Sequence, residues 1–362
     1  MLERFRVPEK DQIRICEEAL RETVTTIFTK VGLTDEDAAE GADVLVTADL
    51  RGVETHGVSN MLRAYVERYM AGEQNPTPTI RIERETPGTA VVDGDKGLGI
   101  VLGRRVMNIA IEKARKVGVG VVTMHNHGHL GALGHFSTIA AQADMIGMCA
   151  SAGGAAILPT FAAEPRFGTN PFSYAAPARD EAPVLFDIAT SAVAGNKIRL
   201  ARRVGAKLEP GWLAHTDGTP IMEETDFPEW GDFYGLPLGG TREQGSHKGY
   251  GFQLMVELLS SGLSSQLISM LDPQGGGKSH FAAYDIAAFT DVDEFKDKMD
   301  RALKMLRETK PAPGHERVLY PGLTEHEDEL DRRANGIPLH REVIEWFDHI
   351  ADELSIPQIG RM

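Results

Sequence analysis

The hydrophobic period changes twice along this 362-residue chain, and those two changes restrict the architectures open to it. From about Asp11 to Val31, apolar side chains recur at Ile13, Cys16, Leu20, Val24, Ile27 and Val31, which predicts an amphipathic helix closed by Gly32. Thr34 followed by Asp-Glu-Asp predicts an N-cap and a helix to about Leu50. A third helix follows His56-Gly57 and ends before the two prolines of NPTPT. From Thr79 the period becomes that of strands: TIRIERE, TAVVDGD, GVGVVTM, MIGMCAS, FSYAAPA, PVLFDIA and FAAYDIAAF. Helical spacing interrupts them at Gly99–Val117, Ser191–Val204, Lys248–Leu263 and Val292–Leu306. It returns in the tail at Thr324–Ala334 and Leu339–Leu354. The fold class expected is α/β (α+β), with residues 79–319 forming an α/β domain. Residues 1–78 and 320–362 together form a discontinuous helical domain.

A formal charge of −15 argues against nucleic acid or an anionic membrane as partner, since both ask for basic surface. No apolar run approaches the ~20 residues of a membrane span. MLERFRVPEKDQ has no apolar signal core, and two cysteines, Cys16 and Cys149, fit reduced thiols; a cytoplasmic protein is expected.

The stretch VVTMHNHGHLGALGHF, Val121–Phe136, carries four of the twelve histidines at a strand-to-helix loop, where α/β proteins place chemistry. His127 and His129 are two apart, so on extended chain they would point the same way, as zinc-binding pairs do. Acid/base chemistry and a merely structural role are the other readings. A second constellation, Asp49-Leu-Arg-Gly-Val-Glu-Thr-His-Gly-Val58, sits where one helix ends and another begins. Thr55 could cap the second helix. Arg51 and His56 would supply the cation and the proton acceptor that oxidising a 2-hydroxy acid requires.

Cofactor signals are less direct. No G-x-G-x-x-G follows a strand, so a Rossmann domain is not expected. The glycine-rich LPLGGTREQGSHKGYG, with Lys248 at a helix start, and APGHE at 312–316 could hold phosphates. Asp187 ends a strand, and Thr190-Ser191 could either bond a ligand or cap the next helix.

Seven stretches in order, DLRGVETHGV, VVTMHNHGHLGALGHF, PTFAAEPRFGTNPF, FDIATSAVAGNKI, GAKLEPGWLAHTDGTPI, LPLGGTREQGSHKGYG and PGHE, resemble the malate/L-lactate dehydrogenase family that lacks a Rossmann fold. The family includes ureidoglycolate and sulfolactate dehydrogenases and diketogulonate reductase. The resemblance implies a homodimer with a family-specific NAD(P)-binding fold and a small 2-hydroxy or 2-keto acid as substrate, using NAD or NADP. It implies His56 and His129 as acid/base candidates, with no metal. Asp187, Ile188, Ala189, Thr190, Ser191, His247, Lys248, Gly314 and His315 fall where the family contacts the dinucleotide. The family's carboxylate-holding arginine is replaced here by Asn60, and Arg63, one helical turn on, is the expected substitute. Gly128, Leu130 and His135 also depart from the family pattern. The alternatives are a reductase of a cyclic 2-imino acid, a metal-dependent hydrolase using His127 and His129, and a non-catalytic cofactor-binding protein.

Overall fold

The computed structural model describes residues 3–361. The chain opens on strand β1 (Gln12–Ile15) and continues through helices α1 (Glu17–Lys30), α2 (Asp35–Leu50) and α3 (Val58–Met70). Strands β2 (Arg81–Glu85) and β3 (Thr89–Asp93) lead into α4 (Gly99–Val117), β4 (Val119–His127), α5 (Gly134–Gln142) and β5 (Met145–Ala152). Next come β6 (Phe172–Ala176), β7 (Val184–Ile188), α6 (Gly195–Val204), β8 (Leu213–His215) and β9 (Phe233–Gly235). Then α7 (Ser246–Ser260), β10 (Gly277–Asp285), α8 (Val292–Arg307), α9 (Leu323–Asn335), β11 (Ile337–His340) and α10 (Arg341–Leu354) complete the chain.

The fold is mixed α/β, built on a seven-stranded sheet of order β2-β3-β4-β10-β5-β6-β7. Its β3–β4 pair is parallel, and β10 enters late in the chain between β4 and β5, antiparallel to both. A doubly wound Rossmann sheet is mostly parallel, so this sheet is of another kind. Helix α4 lies close on β4, where a Cβ at Gly120 would collide with the Ala110 carbonyl. The apolar core runs without a break from the helices at both chain ends (Leu20, Phe28, Tyr65, Phe347) to the sheet (Val92, Val122, Phe281).

Several boundaries differ from the periodicity. Residues 12–15, expected within the first helix, pair antiparallel with 337–340, from Gln12↔His340 to Ile15↔Ile337. Ile13 fits the helical spacing with Cys16 but also a period of two with Ile15, and the partner strand lies more than 300 residues away. Leu339 accordingly sits in β11, and α10 begins at Arg341. The stretch 191–204 becomes helical only from Gly195, the 210–245 loop contains the hairpin β8–β9, and β10 starts inside the expected loop PQGGGKSH. Helix α7, expected to be buried, turns its small and polar face inward (Gly249, Gln253, Glu257, Ser260) and leaves Phe252, Leu254 and Leu258 exposed.

The turn between α2 and α3 is held by buried charge. Asp49 Oδ2 accepts the Val58 N–H at 2.7 Å and so caps α3. Thr55, the expected cap, instead shares a hydrogen bond of 2.8 Å with His56 Nδ1. Gly57 permits this, because a Cβ there would overlap the Asp49 carboxylate. From α9, Arg332 donates to the Asp49 carbonyl at 2.6 Å and to Glu54 Oε1 at 2.9 Å, and both side chains of the Arg332–Glu54 pair are almost fully buried. Desolvation raises the Asp49 and Glu54 carboxyls above the usual range. Removing one member of such a pair strands the other charge, at a cost of about 3–5 kcal/mol. Arg332→Met is therefore expected to lower the urea midpoint by that much stability and to loosen His56; an unchanged midpoint would show that the pair does not anchor the turn.

Candidate active site

Where β4 ends, the backbone turns sharply and separates its histidines. Asn126 adopts a left-handed conformation (φ 54°), and His127 turns back toward the sheet. His127 Nδ1 donates to the Gly128 carbonyl at 2.6 Å, and its Nε2 then accepts the Ser279 hydroxyl at 2.9 Å. His125 bonds Glu83 at 2.9 Å. His135 contacts Arg104 at 3.2 Å, and that guanidinium is held in turn by Glu40 and Asp43. Only His129 of the four meets the second constellation. The His127–His129 zinc reading fails on this geometry, since both His127 nitrogens are engaged. Among the described residues no group of three His, Cys, Asp or Glu side chains is placed to hold a metal.

His129 lies parallel to His56, ring centroids 5.7 Å apart and planes 15° apart, in a cleft of about 1870 Å³. Three segments converge there: the 51–56 turn, the loop after β4, and α3. Tyr65 of α3 places its hydroxyl 2.6 Å from His129 Nδ1, and the Gly131 N–H donates to the same nitrogen at 3.2 Å. A backbone N–H can only donate, so Nδ1 is the acceptor and the neutral ring carries its proton on Nε2. Burial holds the Tyr65 phenol protonated.

Desolvation, then the nearby Lys197 charge, pushes His56 down to about 4. His129 is also held below the ordinary value, first by desolvation and then by repulsion from His56 and Arg68. The residue nonetheless keeps contact with solvent at the cleft mouth. Donors aimed at Nδ1 act in the same direction by favouring the neutral ring.

The other expected site residues divide. Arg51 lines the cleft and is paired with Glu329 at 2.8 Å. Asn60 is buried behind it, donating to the Glu54 carbonyl at 3.1 Å and accepting from Arg203 at 3.0 Å. Arg63 is exposed on another face, paired with Glu67 and bordering a groove against α10. Asp187, Ile188, Ala189 and Ser191 line the cleft, while Thr190 is wholly buried and bonds the Thr169 and Asn170 carbonyls. Asp187 accepts the Gly134 N–H at 2.7 Å; packed protein raises its carboxyl although it faces the cleft. His247 and Lys248 are exposed on the first turn of α7, and Gly314-His315 on the turn before α9; the cleft wall does not include these four.

A drug-sized ligand fills roughly 300–1,000 Å³, so the cleft has room for a dinucleotide and a small acid together. Gly153 and Gly154 line it with nothing near the positions their Cβ atoms would take, leaving space that side chains would fill. These features fit a nicotinamide cofactor. Sequence reasoning missed Tyr65, on the third helix, and Lys197, six residues past Ser191 in a stretch valued only for its fit to the family.

With this geometry in place, comparison with known proteins is direct. Residues 15–348 match the family described as malate/L-lactate dehydrogenase. The chain is 37% identical to a malate dehydrogenase of Pyrococcus horikoshii over 354 residues, 96% of this chain and 97% of that one. It is 33% identical to an L-sulfolactate dehydrogenase of Methanocaldococcus jannaschii, covering 93% and 96%. The crystal structure of malate dehydrogenase from Entamoeba histolytica superposes with a TM-score of 0.90 at 33% identity, covering 96% and 99%. The site and fold are those of a 2-hydroxyacid dehydrogenase. The chain belongs to the malate/L-lactate dehydrogenase family.

The depressed value of His56 has a direct readout. Its ring Cε1–H resonance should titrate near pH 4 rather than at the ordinary ~6.5, leaving the imidazole neutral through the physiological range. A midpoint at or above 6.5 would overturn the assignment.

Proposed function

We propose that the protein interconverts a 2-hydroxy acid and its 2-keto acid, the hydroxy acid bearing a second anionic group as malate and sulfolactate do, with NAD or NADP as hydride carrier. The observation that carries this reading is the stacked His56–His129 pair in a cleft wide enough for both reactants. The activities for which the two relatives are named supply the substrate class, and the exposed Arg68, near enough to His129 to perturb it, suits a second acid group.

Bound NAD(P) would accept the C–H hydride at nicotinamide C4. Asp187, Ile188, Ala189 and Ser191 would form its wall, with Thr190 bracing them from behind. His247, Lys248, Gly314 and His315 stand outside that wall in the single chain.

The protein's own part is to bind, orient and move one proton. Neutral His129 presents Nε2–H, a donor able to polarise the substrate oxygen but not to take its proton. With its Nδ1–H donating to the Thr55 oxygen, His56, neutral at working pH, would take the hydroxyl proton at Nε2 as the hydride leaves. In the reverse direction it returns that proton to the alkoxide oxygen. In this reading His56 is the acid/base and His129 the oxygen-polarising group, with the His56 tautomer part of the proposal.

His56→Asn should lower kcat by about 10²–10⁴-fold with NAD(P)H binding unchanged, measured on oxaloacetate, sulfopyruvate and pyruvate with NADH and with NADPH. No turnover of any 2-keto acid by the wild type would sink the reading.

We further propose a homodimer formed through α7 and the segment after it. Phe252, Leu254, Leu258, Leu263, Leu267 and Leu271 form an exposed apolar strip of the sort that marks an association surface. Two free thiols, Cys16 and Cys149, suit a reducing compartment such as the cytoplasm. Among the described residues no helix is long and apolar enough to cross a membrane. Leu258→Glu should convert a dimer to a monomer by light scattering, and an unchanged mass would remove α7 from the interface.

A further inference from the structure

We infer that Lys197 is the residue that anchors the substrate carboxylate beside His56; the inference rests on the proposed reading of the cleft as a 2-hydroxy acid site. In such an acid the carboxylate is bonded directly to the reacting carbon. Its cation must therefore lie next to the acid/base histidine, and it must be free to change partners when substrate arrives.

Neither the arginines expected from the sequence, Arg51 and Arg63, nor Arg104 of the cleft wall meets both conditions. Arg51 is already paired with Glu329, and Arg104 with Glu40 and Asp43. Arg63 is on another face. Asn60 carries no charge, and both ends of its amide are engaged, one by Arg203 of α6 and one by the Glu54 carbonyl.

Lys197 meets both. It projects from the first turn of α6 into the cleft, half-buried, and its charge acts on His56. Among the described residues no carboxylate lies within ion-pair distance of its Nζ; its neighbour is the Phe5 ring, with Nζ 5.7 Å from the centroid. Burial pulls its pKa down, as expected for an ammonium that lacks a counter-ion in the free enzyme. A lining lysine that serves only the fold would be expected to hold a carboxylate partner, as Lys296 does with Asp144. The Asn60–Arg203 bond fixes α6 against α3, so the neutral residue at position 60 serves the site indirectly, by holding the helix that carries the cation.

The test uses the full-length protein with saturating NADH and oxamate, a non-reacting mimic of a 2-keto acid carboxylate. Lys197→Met should weaken oxamate binding and raise KM for the keto acid by about tenfold to a hundredfold, as for loss of one charged hydrogen bond. NADH affinity and kcat should stay within about twofold, and Lys197→Arg should recover most of the loss. A merely structural lysine would not yield this split between KM and kcat. Oxamate affinity in Lys197→Met equal to wild type, or a wild type that binds no oxamate, would overturn the inference.

Should Lys197→Met fail to fold, wild type with ¹³C-methylated lysines answers the question, with the resonance assigned by its absence in Lys197→Arg. Oxamate must shift the Lys197 signal, and an unmoved signal overturns the inference. The two proposals fail differently. Lysine-dependent oxamate binding without turnover of any 2-keto acid rejects the dehydrogenase substrate reading alone, and turnover with an unaltered Lys197→Met rejects this inference alone.

Discussion

The catalytic cleft depends on a guanidinium with almost no access to water. Arg332 reaches from α9, near the end of the chain, to the turn between α2 and α3, where it bonds the Asp49 carbonyl and the Glu54 carboxylate. Taking these charges out of solvent is costly, and a well-packed apolar set could often stabilise the fold as well or better. What charge provides that apolar contact does not is direction. Asp49 can cap α3 only in one orientation, and that orientation sets where Thr55 and His56 emerge. A late helix thereby fixes the angle of an early histidine, which has to match a second histidine delivered by the sheet.

The sheet delivers its half by a change of backbone hand. While β4 runs extended, its histidines alternate and are absorbed by neighbours: His125 by Glu83 and His127 by Ser279. The left-handed step at Asn126 falls between these two, β4 ends at His127, and His129 emerges from the loop that follows, beside α3. There it meets Tyr65, whose phenol and the Gly131 N–H together decide the tautomer. Two rings of the same residue type thus acquire different chemistry. His129 has donors on Nδ1 and carries its proton toward the cleft, whereas in the proposed mechanism His56 donates Nδ1–H to the Thr55 oxygen and keeps Nε2 as an acceptor. Environment, rather than residue type, distinguishes acid/base from polariser.

How much of this was legible in the chain follows from range. Helices α2 and α3, the strand into the histidine loop, and the absence of a Rossmann motif were all readable, because each is encoded within some twenty residues. The β1–β11 pair was not, because four residues with ambiguous period acquire strand geometry only from a partner at the far end of the chain. Thr55 looked like a cap because it stands at a favourable local position; Asp49, nine residues before Val58, took the place through a turn that local spacing does not describe. The H-x-H reading assumed extended chain through His129, but β4 ends at His127, whose two nitrogens are taken by the Gly128 carbonyl and the Ser279 hydroxyl. Arg63 shared a helical face with position 60 by counting, but Asn60 turns inward to Arg203 of α6 while Arg63 stands in solvent beside Glu67.

Helix α7 shows the same limit from the opposite direction. Its composition, apolar almost all round, correctly reports that water is an unfavourable neighbour on every side, but it does not report which neighbour replaces water. The sheet side takes Gly249, Gln253, Glu257 and Ser260, small or polar groups that allow close approach and satisfy one another: Glu257 accepts from Asn170, Ser261 and the Ser269 N–H. That buried network uses the inward face for specificity, leaving the large side chains Phe252, Leu254 and Leu258 to face outward. A lone chain gains little from such an arrangement, because the hydrophobic stabilisation of those side chains, on the order of 1.5–3 kcal/mol each when fully buried, is not realised. The dimer proposed through α7 would account for the inversion. By the same physical logic, a half-buried and unpaired Lys197 accords with the substrate anchor proposed for it.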